Sequence, residues 1–222
     1  MTPTDEDIKK DVVEELYWDS RIDASDIFVE VENAEVLLSG TAPTYYNAVS
    51  ASDDAMGVYG VKGVRNEIQV KYPGTGPVLT DTEMRSRIQT SLISDADIDS
   101  SEIVVKVANG LVTLEGAVSA LWKKFHAENI AAAKPGVIDI RNDLTVVPTK
   151  TIADREIADN ILGSLKRKSV VNEQDVDVRV ENGVVNLTGR VSSPIAGRAV
   201  KESARYTPGV MQVVDNLTVG TL

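Results

Sequence analysis

The sequence predicts an α+β protein of three tandem α-β-β-α-β modules, each a small three-stranded mixed sheet with two helices packed on one face. First, one motif occurs three times, as NAEVLLSGTA, NGLVTLEGAV and NGVVNLTGRV. Second, the segments Ile8–Val70, Met84–Val146 and Ile157–Val219 align around it without insertion. Third, helical and strand periodicities follow one another in the same order in each copy. Such recurrence indicates repeats of one structural unit. We place the domains at residues 1–73, 80–148 and 152–222.

The first element of each module is predicted to be an amphipathic helix, because apolar residues recur every fourth position. These residues are Ile8, Val12 and Leu16, then Met84, Ile88 and Leu92, then Ile157, Ile161 and Leu165. Asp5, Asp81 and Asp154 place an acid near the positive end of each helix dipole. The sequence TDTE at 80–83 matches a capping box.

Two strands joined by a tight hairpin come next. Apolar and polar residues alternate on both sides of Asn-Gly in the second and third copies, which is typical of half-buried strands. Asn-Gly favours a type I′ turn, because both turn residues need a positive φ. A phosphate-binding glycine loop is disfavoured, since neither nucleotide-binding glycine pattern occurs. In the first copy Ala34 replaces the glycine, and we expect a different turn geometry there.

The last two elements are a second helix, at 44–58, 120–134 and 193–206, and a short third strand parallel to the second strand. Ser119 and Ser192 are the predicted N-caps of the second helix in copies 2 and 3. Free backbone N–H groups at such a helix start can receive a phosphate.

The composition argues against catalysis and against nucleic acid as a partner. The chain has no cysteine and one histidine, so the supply of nucleophiles and bases is small. His126 has no counterpart in the other copies, and we predict a structural or surface histidine rather than a catalytic one. The net charge of −11 disfavours nucleic acid. We predict no enzyme, no cofactor and no metal. The acidic segment SDADIDSSE at 94–102 resembles the start of a calcium loop, but Ser100 and Lys106 stand where such a loop needs Gly and Glu.

The sequence shows no membrane span and no export signal. No apolar run approaches the length that crosses a bilayer. The N-terminus MTPTDEDIKKDVVEEL is acidic and amphipathic, unlike a secretory signal. As written, the chain is expected in the cytoplasm; the alternative is the periplasm, if an export signal was removed.

Basic residues concentrate on the second helix of copies 2 and 3, whereas the same helix of copy 1 has Asp53 and Asp54 instead. They are Lys123, Lys124, Lys134, Arg198, Lys201 and Arg205. With Trp122 at the helix start, they form the predicted anion-binding surface. The alternative is that Trp122, Tyr46 and Ile195, which occupy equivalent positions in the three copies, pack on the sheet as part of the core.

The repeat resembles the BON domain. The resemblance covers nearly the whole chain and is carried in copy 2 by Asn109-Gly110, Leu114, Gly116, Ala131, Gly136-Val137, Asn142 and Leu144. In copy 3 it is carried by Asn182-Gly183, Leu187, Gly189, Ala204, Gly209-Val210 and Leu217. The resemblance implies weak binding of phospholipid head groups or a membrane surface in envelope or osmotic stress, with envelope proteins as further partners. The alternatives are a protein-interaction scaffold or chaperone-like module, and ion sensing by acidic loops of copy 1.

Overall fold

The computed structural model describes residues 3–71 and 79–220 of the 222-residue chain. Residues 72–78, which include most of the segment between the first two predicted domains, lie outside the described residues. By packing, the chain divides into two compact units. One comprises the chain up to Glu115 together with Ala127–Asp143, and the other comprises Gly116–His126 together with the chain from Leu144 onward.

The elements follow the predicted order in every repeat. In repeat 1 they are α1 (Asp5–Trp18), β1 (Ile27–Glu32), β2 (Glu35–Ala42), α2 (Tyr45–Gly57), β3 (Gly63–Asn66) and β4 (Gln69–Val70). In repeat 2 they are α3 (Asp81–Ser94), β5 (Ile103–Ala108), β6 (Leu111–Val118), α4 (Leu121–Ala132) and β7 (Asp139–Val146). In repeat 3 they are α5 (Asp154–Leu165), β8 (Val176–Glu181), β9 (Val184–Val191), α6 (Pro194–Arg205) and β10 (Gln212–Val219). The α+β prediction is confirmed; the third strand of repeat 1 is split into β3 and β4.

Each repeat forms its own mixed sheet with the second strand in the centre. The strand orders are β1-β2-β3, with β4 also on β2, then β5-β6-β7, and β10-β9-β8. β1 pairs antiparallel with β2, and β8 pairs antiparallel with β9. β3 and β4 run parallel to β2, and β10 runs parallel to β9. The predicted parallel third strand is therefore confirmed in repeats 1 and 3.

The first helix of each repeat buries the predicted face. Every residue of the three apolar sets is at most 3% exposed. α3 begins with the predicted capping box, in which Thr80 and Glu83 each accept a hydrogen bond from the backbone N–H of the other. Caps of this kind satisfy N–H groups that have no partner within the helix.

The second helices contact the core mainly through small side chains, because these let the helix axis approach the sheet closely. The two central positions hold Ala51 and Ala55 in α2, Ala127 and Ala131 in α4, and Val200 and Ala204 in α6, all fully buried. The predicted packing of Tyr46, Trp122 and Ile195 on the sheet is wrong for Ile195, which is 47% exposed. Trp122 and Tyr46 are only half-buried.

The hairpins have two-residue turns with positive φ at both positions, at 33–34, 109–110 and 182–183. The expectation of a different geometry in repeat 1 is wrong, since Asn33 has φ of 55° and Ala34 has φ of 66°. The pairing of Glu32 with Glu35 continues the ladder directly up to this turn. An alanine thus occupies a left-handed conformation that favours glycine.

An aspartate at the start of the first helix holds each hairpin turn. Asp5 accepts hydrogen bonds from the backbone N–H groups of Asn33 and Ala34 at 2.8 and 2.9 Å. Asp81 and Asp154 bind the equivalent turns in the same way, at 2.7 to 3.1 Å. These acids therefore connect the helix to the hairpin, besides lying at the positive end of the helix dipole. The contact supplies fixed acceptors for the strained turn of repeat 1.

Candidate functional site

A groove of about 580 Å³ lies in the unit formed by Gly116–His126 and the chain from Leu144 onward. We call it the basic groove. Its lining comes from the first turns of α4, the ends of β7 and α6, and the starts of β9 and β10. It consists of Leu121, Lys124, Phe125, Leu144–Val146, Val184, Lys201, Arg205, Met211–Val213 and Asp215. The groove thus combines an apolar wall with three cations.

Three of the six predicted basic residues meet at this groove: Lys124, Lys201 and Arg205. The Arg205 guanidinium lies 3.7 Å from the centre of the Phe125 ring. Cation–π contacts of this kind contribute about 0.5–2 kcal/mol and hold the guanidinium plane in place. The stacked guanidinium keeps its edge N–H groups available as donors for a planar acid or a phosphate.

One acid faces the cations within the groove lining. Lys201 Nζ lies 3.2 Å from Asp215 Oδ2, and both side chains are more than a third exposed. A pair this exposed stabilises the fold by less than about 1 kcal/mol, because water screens it. The lining thus holds three cations and one acid, on a chain whose net charge is −11.

Trp122, Lys123 and His126 form a second cluster on the first two turns of α4. Lys123 Nζ lies 5.5 Å from the Trp122 ring centre, and the Trp122 and His126 ring centres are 6.0 Å apart. All three side chains are half-buried. The Trp122 indole is partly exposed and lies beside a cation. This position suits a surface contact better than the core role that its equivalence to Tyr46 and Ile195 predicts.

The two remaining basic residues are not part of the groove lining among the described residues. Lys134 follows the end of α4 and lines a shallow cleft with Arg87, Ser91 and other residues of repeat 2. Arg198 is half-buried within α6. The predicted set is therefore distributed over at least two surfaces.

The predicted caps are shifted by one residue. Ser193, not Ser192, caps α6, and its hydroxyl accepts a hydrogen bond from the Ala196 N–H at 3.2 Å. Ser192 is exposed and precedes the cap. α4 begins at Leu121, so Ser119 lies two residues before the first helical residue. For α6 the shift arises because both residues of the Ser192-Ser193 pair satisfy the cap preference, and sequence alone did not set the register.

The groove lining consists mainly of apolar and charged side chains. Its described lining residues include no histidine, cysteine or serine, so they offer no thiolate or imidazole ligand, and the one hydroxyl among them is that of Thr145. Charged donors beside apolar side chains are suited instead to holding an anion that carries an apolar part.

A polar cluster in repeat 1 was not predicted. Arg21 forms ion pairs with Asp19 and, at 3.5 Å, with Asp54, whose Oδ2 is buried without a hydrogen-bond partner among the described residues. Burial and the adjoining carboxylate of Asp19 raise the pKa of Asp54 to about 6. The hydrogen bonds from Arg21 hold the pKa of Asp19 well below its ordinary value. The sequence gives no signal for this cluster, since Asp19 and Asp54 are far apart along the chain.

An exposed aromatic pair at the end of α1 was also missed. Tyr17 and Trp18 are 74% and 78% exposed, and their rings meet edge to face with centres 5.5 Å apart. A signal was available: the two residues directly follow Leu16, so they turn away from the buried face of the helix. Large exposed apolar groups that touch one another indicate a contact surface.

Among the described residues, no helix combines the length and the apolar character needed to span a bilayer.

The BON domain profile matches residues 4–72, 80–148 and 153–221.

Three curated bacterial proteins are similar in sequence. Osmotically-inducible protein Y of Escherichia coli (strain K12) is 33% identical over 126 residues, which cover 55% of this chain and 63% of that protein. The 21 kDa hemolysin of Actinobacillus pleuropneumoniae is 32% identical over 117 residues, covering 52% and 60%. The outer membrane lipoprotein DolP of Haemophilus influenzae is 30% identical over 145 residues, covering 63% and 75%. The matches thus span less than two thirds of the first two relatives.

Among solved structures, CdsD, a structural protein of the Type III secretion system of Chlamydia trachomatis, aligns over 96% of this chain and 93% of its own. The identity is 12% and the TM-score 0.27, a likeness too low to carry an argument. The profile, in contrast, matches all three repeats over nearly their full length. The chain therefore belongs to the BON domain family, as a tandem of three BON domains.

Proposed function

We propose that this protein binds anionic phospholipid surfaces weakly and reversibly, without catalysing a reaction, through the basic groove. The observation that carries the proposal is the meeting of Lys124, Lys201 and Arg205 at one groove. We further propose that it acts in the bacterial envelope under osmotic or envelope stress, with domains at 1–73, 80–148 and 152–222. The names of two relatives, an osmotically-inducible protein and an outer membrane lipoprotein, support that setting.

The cations of the groove are specific to repeats 2 and 3. The positions of repeat 1 that correspond to Lys124, Lys201 and Arg205 hold Ala48, Ser52 and Met56. A general requirement of the fold would place the same residue types in all three repeats. The uneven distribution therefore supports a role in binding rather than in folding.

The expected affinity is modest. A basic residue near an anionic leaflet contributes about 1 kcal/mol, so three of them contribute about 3 kcal/mol. That corresponds to roughly a hundredfold gain in partition onto an anionic surface. The net charge of −11 opposes any broader adhesion, so binding should depend on the groove and weaken with salt.

Co-sedimentation with lipid vesicles tests the proposal. The full chain is mixed with vesicles of neutral lipid, or of neutral lipid with increasing anionic lipid, at low and at high salt. We expect binding to rise with anionic lipid and to fall with salt. The triple variant Lys124→Gln, Lys201→Gln, Arg205→Gln should lose most of this binding.

A matched control carries the same loss of charge at exposed positions of the same unit: Lys150→Gln, Arg155→Gln, Lys166→Gln. It should bind almost as well as the wild type. Equal binding by the two triple variants, or binding that does not increase with anionic lipid, contradicts the proposal.

The exposed pair of Tyr17 and Trp18 favours a second candidate function, a protein-interaction scaffold or chaperone-like module. The pair exposes aromatic surface on α1 of repeat 1, which lacks the basic groove. Aromatic residues are enriched where proteins contact one another. Acids surround it along the helix, at Asp11, Glu14 and Asp19, which disfavours an anionic surface as its partner.

Suppression of aggregation of a denatured client protein tests this second candidate. The double variant Tyr17→Ser, Trp18→Ser should lose the activity, whereas the groove triple variant should keep it. If neither the wild type nor the groove variant suppresses aggregation, the scaffold hypothesis is rejected.

A further inference from the structure

The apolar wall of the basic groove is not required for contact with head groups alone. Leu121, Phe125, Val146, Met211 and Val213 all contribute to the lining. Met211 is 39% exposed, while Phe125 and Val213 are half-buried. A volume of about 580 Å³ lies in the range of sites that enclose one small molecule. The wall therefore indicates that part of a ligand enters the groove.

The cations define the polar end of such a ligand as an anion. The Arg205 guanidinium lies over the Phe125 ring, 3.7 Å from its centre, which joins a charged donor directly to the apolar wall. A guanidinium presents parallel N–H groups that match the two oxygens of a carboxylate. Lys201 forms an exposed ion pair with Asp215. An incoming acid can replace Asp215 as the partner of Lys201 with little loss of stability, because water screens such a pair.

We propose that the basic groove takes up a single fatty-acid molecule, with the carboxylate at Arg205 and Lys201 and the alkyl chain along Phe125, Met211 and Val213. The inference deepens the proposed function and rests on it, because it assigns a ligand to the same groove. A monomeric acid needs the apolar wall and one carboxylate partner. A bilayer surface needs only the cations.

Calorimetric titration of the full chain with monomeric amphiphiles tests the inference, with every probe kept below its micelle-forming concentration. Dodecanoate supplies both the chain and the acid, acetate supplies only the acid, and dodecyltrimethylammonium supplies the chain with the opposite charge. We expect saturable binding of dodecanoate at one site. Acetate and the cationic probe should bind at least about tenfold more weakly, since each lacks one of the two contacts.

Two variants locate the binding. Arg205→Gln removes the charged donor, and Met211→Trp fills the groove from a partly exposed position. Each should weaken dodecanoate binding by about tenfold or more, whereas Arg155→Gln, an exposed cation on α5, should leave it unchanged. Circular dichroism of each variant checks that the fold is retained.

The outcomes separate the two proposals. Absence of saturable dodecanoate binding, equal binding of the cationic probe, or full binding by well-folded Met211→Trp overturns the fatty-acid site. Met211→Trp that still co-sediments with anionic vesicles leaves the surface proposal standing. Dodecanoate binding without vesicle binding supports the site and rejects the surface proposal.

Discussion

Replacing Ala34 by glycine should stabilise repeat 1, because Ala34 has φ of 66° in the hairpin turn. A left-handed conformation costs an L-residue roughly 1–2 kcal/mol. Glycine avoids that cost but has more freedom in the unfolded chain, which offsets about 0.4–1 kcal/mol. The net expected gain is therefore about 0.5–1 kcal/mol, with the hydrogen bonds that the turn N–H groups donate to Asp5 retained.

The reverse change in repeat 3 should have the opposite sign and a larger size. A Cβ at Gly183 would lie 3.0 Å from the Gly209 carbonyl oxygen and 3.0 Å from Met211 Cγ, so crowding adds to the strain. Gly183→Ala should destabilise repeat 3 by more than about 1 kcal/mol. In repeat 1, alanine is already accommodated.

Native-state amide exchange measures these changes repeat by repeat, which a single unfolding curve of a three-domain chain does not. In Ala34→Gly, exchange of the Val36 and Leu38 amides in β2 should slow by about two- to fivefold, as expected from 0.5–1 kcal/mol. Amides of β9 serve as the internal control. Unchanged or faster exchange in β2 would refute the idea that the alanine turn is strained.

Three further predictions concern the core, a cap and the Asp19–Asp54 cluster. Leu114→Ala should destabilise repeat 2 by about 2–5 kcal/mol, since the side chain is fully buried, and a change in the β6 exchange free energy below 1 kcal/mol would contradict this. Thr80→Ala should cost about 1 kcal/mol in α3 by loss of the capping box with Glu83, read from exchange of the α3 amides. The pKa of Asp54 is raised from 3.8 to about 6 in the folded protein, so the folded state binds this proton more tightly than the unfolded state does. The protonated carboxyl therefore stabilises the fold at low pH, and this stabilisation is lost as the pH rises from about 4 to about 6. In Asp54→Asn that loss should be smaller, as measured by the exchange free energies of repeat 1 amides over the same pH range; an identical pH profile would show that Asp54 is not responsible.

The element order of all three repeats was predictable because local signals agree with the global fold. Ile8, Val12 and Leu16 mark a helix face, and the alternation around Asn-Gly marks a hairpin, before any tertiary contact is considered. The turn of repeat 1 was not predictable in the same way. Its alanine is held by Asp5, a residue remote in sequence, and that contact overrides the local preference.

The candidate site was predictable only as a set of residue types on two helices. Sequence placed six cations on the second helices, but their spatial grouping depends on how α4, β7, α6 and β10 pack. Packing brings Lys124, Lys201 and Arg205 to one groove with an apolar wall, while Lys134 lines another cleft. The contact of Arg205 with Phe125 joins residues of different repeats, so no local sequence pattern predicts it.

The most direct test of the central claim is the comparison of the two triple variants on anionic vesicles. The triple variant Lys124→Gln, Lys201→Gln, Arg205→Gln should lower partition by roughly a hundredfold, while the matched control at Lys150, Arg155 and Lys166 should stay near the wild type. If both variants lose binding equally, long-range charge explains attachment and the groove has no specific role.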